Sequence, residues 1–189
     1  MRITGGEMRG RRISHPPTRD VRPTPDAVRE SLFNLLPPVS GQTFLDLYAG
    51  SGIVGFEALS RGAKRVAFVE KQAVVTRKIK EQLACFGLDG SSLVLTMSVE
   101  KGVAALSSRE ERYDVIFADP PYEREWINKT LYCCRRNDLL AKGGLLVLQR
   151  SVREKIEGTD RNQGFVSVDE RRYGDTVLTF LAHRLEETC

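Results

Sequence analysis

Apolar residues in this chain fall into blocks with two alternating spacings. Residues 43–47, 65–69, 93–97, 113–118 and 145–148 form compact apolar runs, as expected of strands buried on both faces. Between them lie segments with helical spacing. One passes through Ala58 and Leu59, one spans 72–86 with Val75, Ile79 and Leu83 on one face, and one spans 99–106. A more polar helical stretch through Trp126 and Leu131 leads to Gly143-Gly144 and the last of the five runs. Strand–helix alternation of this kind predicts a parallel sheet covered by helices on both faces. The ending breaks the rhythm: residues 165–168 and 177–181 flank Tyr173-Gly174-Asp175, the pattern of an antiparallel hairpin. The predicted fold is therefore α/β, a doubly wound, mostly parallel seven-stranded sheet closed by a C-terminal antiparallel hairpin.

A smaller segment precedes this core. Arg2-Ile3-Thr4, a Gly5-Gly6 turn and Arg11-Arg12-Ile13 predict a short hairpin ending at His15-Pro16-Pro17. Thr24 then predicts a helix N-cap, with Pro25 at the first helical position and Val28, Leu32, Leu35 and Leu36 as the apolar stripe. Pro37-Pro38 stops that helix. The expected organisation is a single domain over 1–189, with residues 1–38 as an arm and helix and 39–189 as the Rossmann-like core.

Composition narrows the class. With 189 residues, 41% hydrophobic and 29% charged, the chain can build one ordinary globular core. Its apolar runs are far too short to span a bilayer, and the opening around Arg2 and Gly5 does not read as a signal peptide. None of the four cysteines falls in a C-x-x-C pair and there are only two histidines, so zinc-ligand spacing is absent and no metal is expected. A reduced, cytoplasmic protein fits this usage, and the chain is expected to act as a monomer. The net charge is +4, and residues 1–22 account for all of it, with six arginines against Glu7 and Asp20. Clustered arginine forks such as Arg2, Arg9, Arg11, Arg12 and Arg22 attract a polyanion through bidentate phosphate contacts; a merely solvated tail is the alternative that charge alone leaves open.

Two motifs carry chemistry. Asp46-Leu47-Tyr48-Ala49-Gly50-Ser51-Gly52-Ile53-Val54-Gly55 lies between a strand and a helix, and its G-x-G-x-x-G core is also the dinucleotide fingerprint. Glu70 follows where an acid would meet ribose hydroxyls, which either a nicotinamide dinucleotide or S-adenosylmethionine would offer. Charge separates the two. A pyrophosphate over this turn would be repelled by Asp46, whereas the ammonium and sulfonium of S-adenosylmethionine suit it. The expected cofactor shell is Asp46, Tyr48, Ala49, Gly50, Ser51, Gly52, Glu70 and Lys71, with Ser98 and Val99 beside the adenine and Asp119 beyond them. Ser98 stands where an acid or amide is more usual in this class.

The second motif is Asp119-Pro120-Pro121-Tyr122, directly after the apolar run 115–118. An exocyclic amine on a nucleic-acid base is a poor nucleophile, because its lone pair is delocalised into the ring. Methylating it requires acceptors for both N–H bonds. The Asp119 carboxylate supplies one and the Pro120 carbonyl the other, in a loop where Pro120 and Pro121 contribute no competing N–H. Tyr122 offers a face on which an unstacked base can rest. A strand-ending turn without chemistry is the bland alternative.

With these residues in view, the chain resembles the RsmD family of 16S ribosomal RNA guanine-N2 methyltransferases. The resemblance rests on Met1 to Gly6 with Arg9-Gly10-Arg11, Arg22 to Asp26 with Val28 to Asn34, Leu45 to Gly52, Glu57 to Ala63, Asp119 to Tyr122 and Tyr173 to Thr176. It implies a class I methyltransferase fold, S-adenosylmethionine as donor and a guanine of small-subunit 16S rRNA as acceptor. It also implies that the arm and the segment including Arg22, Thr24 and Arg29 hold the RNA. Three alternatives stand beside it: an adenine-N6 or cytosine-N4 methyltransferase of DNA or RNA, a nicotinamide-dependent reductase, and a non-catalytic RNA-binding module.

Overall fold

The computed structural model describes residues 1–14, 25–121, 124–154, 156 and 164–184. Seven strands form one sheet in the order β3-β2-β1-β4-β5-β7-β6, the doubly wound arrangement that the alternation predicts. The chain falls into two compact units, Met1–Gly102 and Val103–Cys189.

In the first unit, α1 (Asp26–Leu35) precedes β1 (Thr43–Leu47), α2 (Ile53–Ser60), β2 (Arg65–Glu70), α3 (Ala73–Phe86), β3 (Ser92–Thr96) and the start of α4 (Val99–Ser107). β1, β2 and β3 run parallel, with Leu45 opposite Ala67 and Val69 opposite Leu95. Pro25 is the N-cap of α1 rather than its first helical residue. Its extended ψ of 143° is incompatible with a helical turn, and the helix begins one residue later than expected. Thr24, the expected cap, lies outside the described residues.

Every residue of α2 is buried, including Glu57 and Ser60. α2 packs on β1 and β2, and the arm covers Glu57 and Ser60. The expected hairpin is short, with one antiparallel bridge, Arg2 to Arg12, backbone bonds from Ile3 to Arg11 and from Gly10 to Ile3, and a turn at Gly5 to Met8 that bonds α2. Ser60 accepts the Glu7 N–H at its carbonyl (2.8 Å) and the Met8 N–H at its hydroxyl (2.9 Å), and that hydroxyl donates to the Gly5 carbonyl. Gly6 is required here: its φ is +75°, and a Cβ would fall 1.9 Å from the Ser60 oxygen. Ile3, Met8 and Ile13 are buried, while Arg2, Arg9, Arg11 and Arg12 are exposed. The arm is thus amphipathic in three dimensions, with its apolar residues folded inward and four exposed arginines, of which Arg11 also lies over the Phe86 ring.

In the second unit, β4 (Tyr113–Ala118) is followed by α5 (Arg124–Arg136), β5 (Leu140–Ser151), β6 (Phe165–Tyr173) and β7 (Thr176–His183). β4 and β5 are parallel, and β7 is antiparallel to both β5 and β6. β5 is longer than the apolar run that predicts it. Residues 141–144 jog out of register, with Gly143 at φ +78°, and Leu140 re-pairs with Tyr113 beyond the jog. The C-terminal hairpin closes through Gly174 at φ +59°, as the Tyr-Gly-Asp signal predicts.

Candidate active site

The loop after β1 is built around two buried carboxylates. Asp46, second to last in β1 and 1% exposed, accepts the Gly55 N–H through Oδ2 at 3.0 Å. Glu70, last in β2 and 8% exposed, accepts the Gly50 N–H through Oε2 (3.1 Å) and the Gln72 N–H through Oε1 (2.8 Å). Each acid sits at a strand's C-terminal end, where adjacent parallel strands direct their following loops the same way. Gly50 (φ +51°) and Gly52 (φ +76°) supply left-handed turns. Gly55 serves packing instead: a Cβ there would lie 2.2 Å from the Phe68 ring.

The backbone donors that a dinucleotide would use are largely taken. The Ile53 N–H goes to the Ser51 hydroxyl (3.3 Å) and the Gly55 N–H to Asp46. A pyrophosphate at the start of α2 would find these donors occupied and two carboxylates nearby. A ligand with an ammonium, a sulfonium and ribose hydroxyls suits the same carboxylates, which are negative and accept hydrogen bonds.

Tyr48 adds a feature that sequence reading missed. It takes φ +59° without being glycine, a conformation costing about 1–3 kcal/mol that proteins keep chiefly at functional loops. Ala49 is buried and its N–H bonds the Val69 carbonyl at 3.0 Å, pinning the loop to β2. Ser51 also reaches the arm, its hydroxyl donating to the Met1 sulfur at 3.5 Å. Lys71 is exposed. Ser98 is half-buried, its carbonyl accepting from the Gly102 N–H in the first turn of α4, and Val99 is buried.

In the second unit, Asp119 follows the last residue of β4 and is half-buried; Pro120 is buried and Pro121 exposed. Gln149 on β5 donates from Nε2 to Asp119 Oδ2 at 3.1 Å. Ala118 pairs with Leu148 across the parallel ladder, so the next residues on each strand, Asp119 and Gln149, stand side by side. Sequence reading missed Gln149 as well. Its signal is a polar residue continuing the apolar run 145–148 without a break. Tyr122 lies outside the described residues.

Of the proposed RNA contacts, Arg2, Arg9, Arg11 and Arg12 are exposed, and Arg22 lies outside the described residues. Arg29 is fully buried. Its Nε donates to Glu57 (3.3 Å) and its Nη2 to Asp26 (3.0 Å) and the Arg2 carbonyl (2.5 Å). This guanidinium faces the protein and not solvent. Sequence proximity to an arginine-rich segment could not reveal that, because helix phase places Arg29 next to Val28 on the inward face of α1.

The sheet order, the antiparallel β7 and an acid-flanked glycine loop after β1 define a class I methyltransferase fold. The chain belongs to the RsmD family: the family model described as Conserved hypothetical protein 95 matches residues 1–182. Ribosomal RNA small subunit methyltransferase D of Escherichia coli is 32% identical over 163 residues, covering 86% of this chain and 80% of that protein. YlbH of Bacillus subtilis is 31% identical over 185 residues, covering 97% and 100%. Among solved structures, yhhF of Escherichia coli superposes with a TM-score of 0.82 at 28% identity, covering 98% of this chain and 99% of that one.

Proposed function

We propose that this protein methylates the exocyclic N2 amine of a guanine in 16S rRNA of the small ribosomal subunit, using S-adenosylmethionine, in the cytoplasm. The observation that carries the cofactor class is the pair of buried carboxylates, Asp46 and Glu70, bonded into the glycine loop. Those bonds favour a cationic ligand over a pyrophosphate. The RNA class rests on the relatives named ribosomal RNA small subunit methyltransferase D.

S-adenosylmethionine supplies an electrophilic methyl group on a sulfonium that is already a good leaving group, so no strong protein base is needed. The residues contribute orientation and desolvation. Glu70 accepts ribose hydroxyls while holding the Gly50 turn; Asp46 faces positive charge. Asp119 and the Pro120 carbonyl accept the two N–H bonds of the amine and leave its nitrogen aligned for attack. Tyr122, by its place in the motif, stacks the flipped-out base. Arg2, Arg9, Arg11 and Arg12 bind phosphates, and Arg29 supports them by tying Arg2 to Glu57. The relatives named for the small ribosomal subunit favour an assembled or partly assembled subunit as substrate.

Two measurements test this reading. In calorimetry, S-adenosylhomocysteine binds and a reduced nicotinamide dinucleotide does not. Asp119→Ala leaves that binding intact and lowers methyl transfer at least about a hundredfold, near 2.7 kcal/mol of transition-state stabilisation. Nicotinamide binding alone, or full transfer by Asp119→Ala, would refute it. Equal activity on short naked RNA would refute the subunit as substrate.

A further inference from the structure

Gln149 is 3% exposed, and the two ends of its amide are treated differently. Nε2 donates to Asp119 Oδ2 at 3.1 Å, whereas Oε1 is buried with no hydrogen-bond partner among the described residues. Flipping the amide would not help, since it would set Oε1 against the Asp119 carboxylate and leave a buried N–H unpaired. Asp119 therefore fixes the orientation, and the open group is an acceptor. A buried acceptor left unpaired is costly and calls for a donor that arrives with a ligand.

We propose that Gln149 is the specificity-determining residue for the target base, its Oε1 accepting the N1–H of guanine while its Nε2 holds Asp119 beside the neighbouring N2 amine. This inference rests on the guanine reading above and adds the residue that enforces it. The exocyclic amines of the competing bases differ in their flanking ring atom. Guanine carries N1–H, a donor, next to its 2-amine. Adenine N1 and cytosine N3, next to their amines, are bare acceptors that would face Oε1 lone pair to lone pair. A loop that only accepts amine protons, as Asp119 and Pro120 do, cannot make this distinction. An adjacent fixed acceptor can, because a base lacking the donor leaves it unpaired.

The test compares guanine with 2,6-diaminopurine, which keeps the 2-amine but replaces N1–H by a bare nitrogen. Small subunits are reconstituted with rRNA carrying either base at the modified position, and single-turnover methyl transfer is measured with the full-length protein. The wild type is expected to favour guanine at least about tenfold. Gln149→Leu is expected to slow guanine transfer and bring the two bases within about twofold. Gln149→Glu keeps an acceptor but loses the donor to Asp119. It is expected to retain the guanine preference while its rate falls at neutral pH and recovers in acid, as protonation restores a donor. Equal wild-type rates on the two bases would overturn the proposal without any variant. So would an unchanged preference in a natively melting Gln149→Leu protein, or loss of preference in Gln149→Glu. Failure of the wild type to label guanine at all would sink the guanine reading itself, and this inference with it.

Discussion

At the scale of single residues, the glycine loop combines strain, packing and charge. The third glycine of the fingerprint illustrates packing: Gly55 lets α2 lie against the Phe68 ring, and any side chain must push that ring aside. Gly55→Ala should lower stability by about 1–3 kcal/mol in denaturant titration, since overpacking a filled site costs that much; an unchanged midpoint would contradict the packing role. Cys134 is a second case. Burial, with a smaller contribution from the charge of Cys133, pushes its thiol up from 9.0 to about 12. A raised acid favours the folded state's neutral form, so its contribution is complete below pH 9 and lost as pH rises toward 12. At pH 8, iodoacetamide should modify exposed Cys85 in the native protein and reach Cys134 only on unfolding. Native labelling of Cys134 would show that the site opens.

At the scale of elements, the arm and α2 form one structure, and Glu57 joins them. Its carboxylate accepts the Thr4 N–H (2.8 Å) and hydroxyl (2.9 Å), pairs with fully buried Arg29 (3.3 Å), and meets Arg61 (3.0 Å). Glu57→Ala would remove the buried carboxylate that Arg29 faces, leave it the exposed Asp26 as counter-charge, and should cost about 3 kcal/mol. Hydrogen exchange should then accelerate at Ile3, Gly10 and Ile13, whose amides close the arm, while β1 stays protected. Equal loss of protection in both would mean that the arm and the sheet open as one unit. This clasp also marks where sequence reading stops. The strands and main helices were legible because their apolar spacing is local, and the glycine and Asp-Pro-Pro motifs because each is contiguous. Arg29, Glu57 and Gln149 were not recognised for what they do, because each acts through a partner distant along the chain. Arg29 read as a surface cation for the same reason: the buried carboxylate it meets, Glu57, lies 28 residues further along the chain.

At the scale of the whole molecule, charge and chemistry are divided along the chain. The net +4 is concentrated in residues 1–22, and four of those arginines are exposed on the arm. The glycine loop beneath the arm is acidic, with Asp46 and Glu70 bonded into it. Such a division suits a protein that grips a polyanion with one surface and a cationic donor with another. Replacing Arg11 and Arg12 together by alanine should weaken RNA binding and flatten its salt dependence by about one unit of log–log slope per lost phosphate contact. An unchanged slope would reduce the arm to packing material for α2. Cofactor binding should be the same in both proteins, since neither arginine bonds to the loop in the contacts described.

The most direct test of the central claim is methyl transfer from labelled S-adenosylmethionine to small subunits lacking their modifications, followed by nucleoside analysis of the 16S rRNA. Label in N2-methylguanosine at a single position is the expected result. Label in a methylated adenine or cytosine, or none in the presence of bound cofactor, would contradict it.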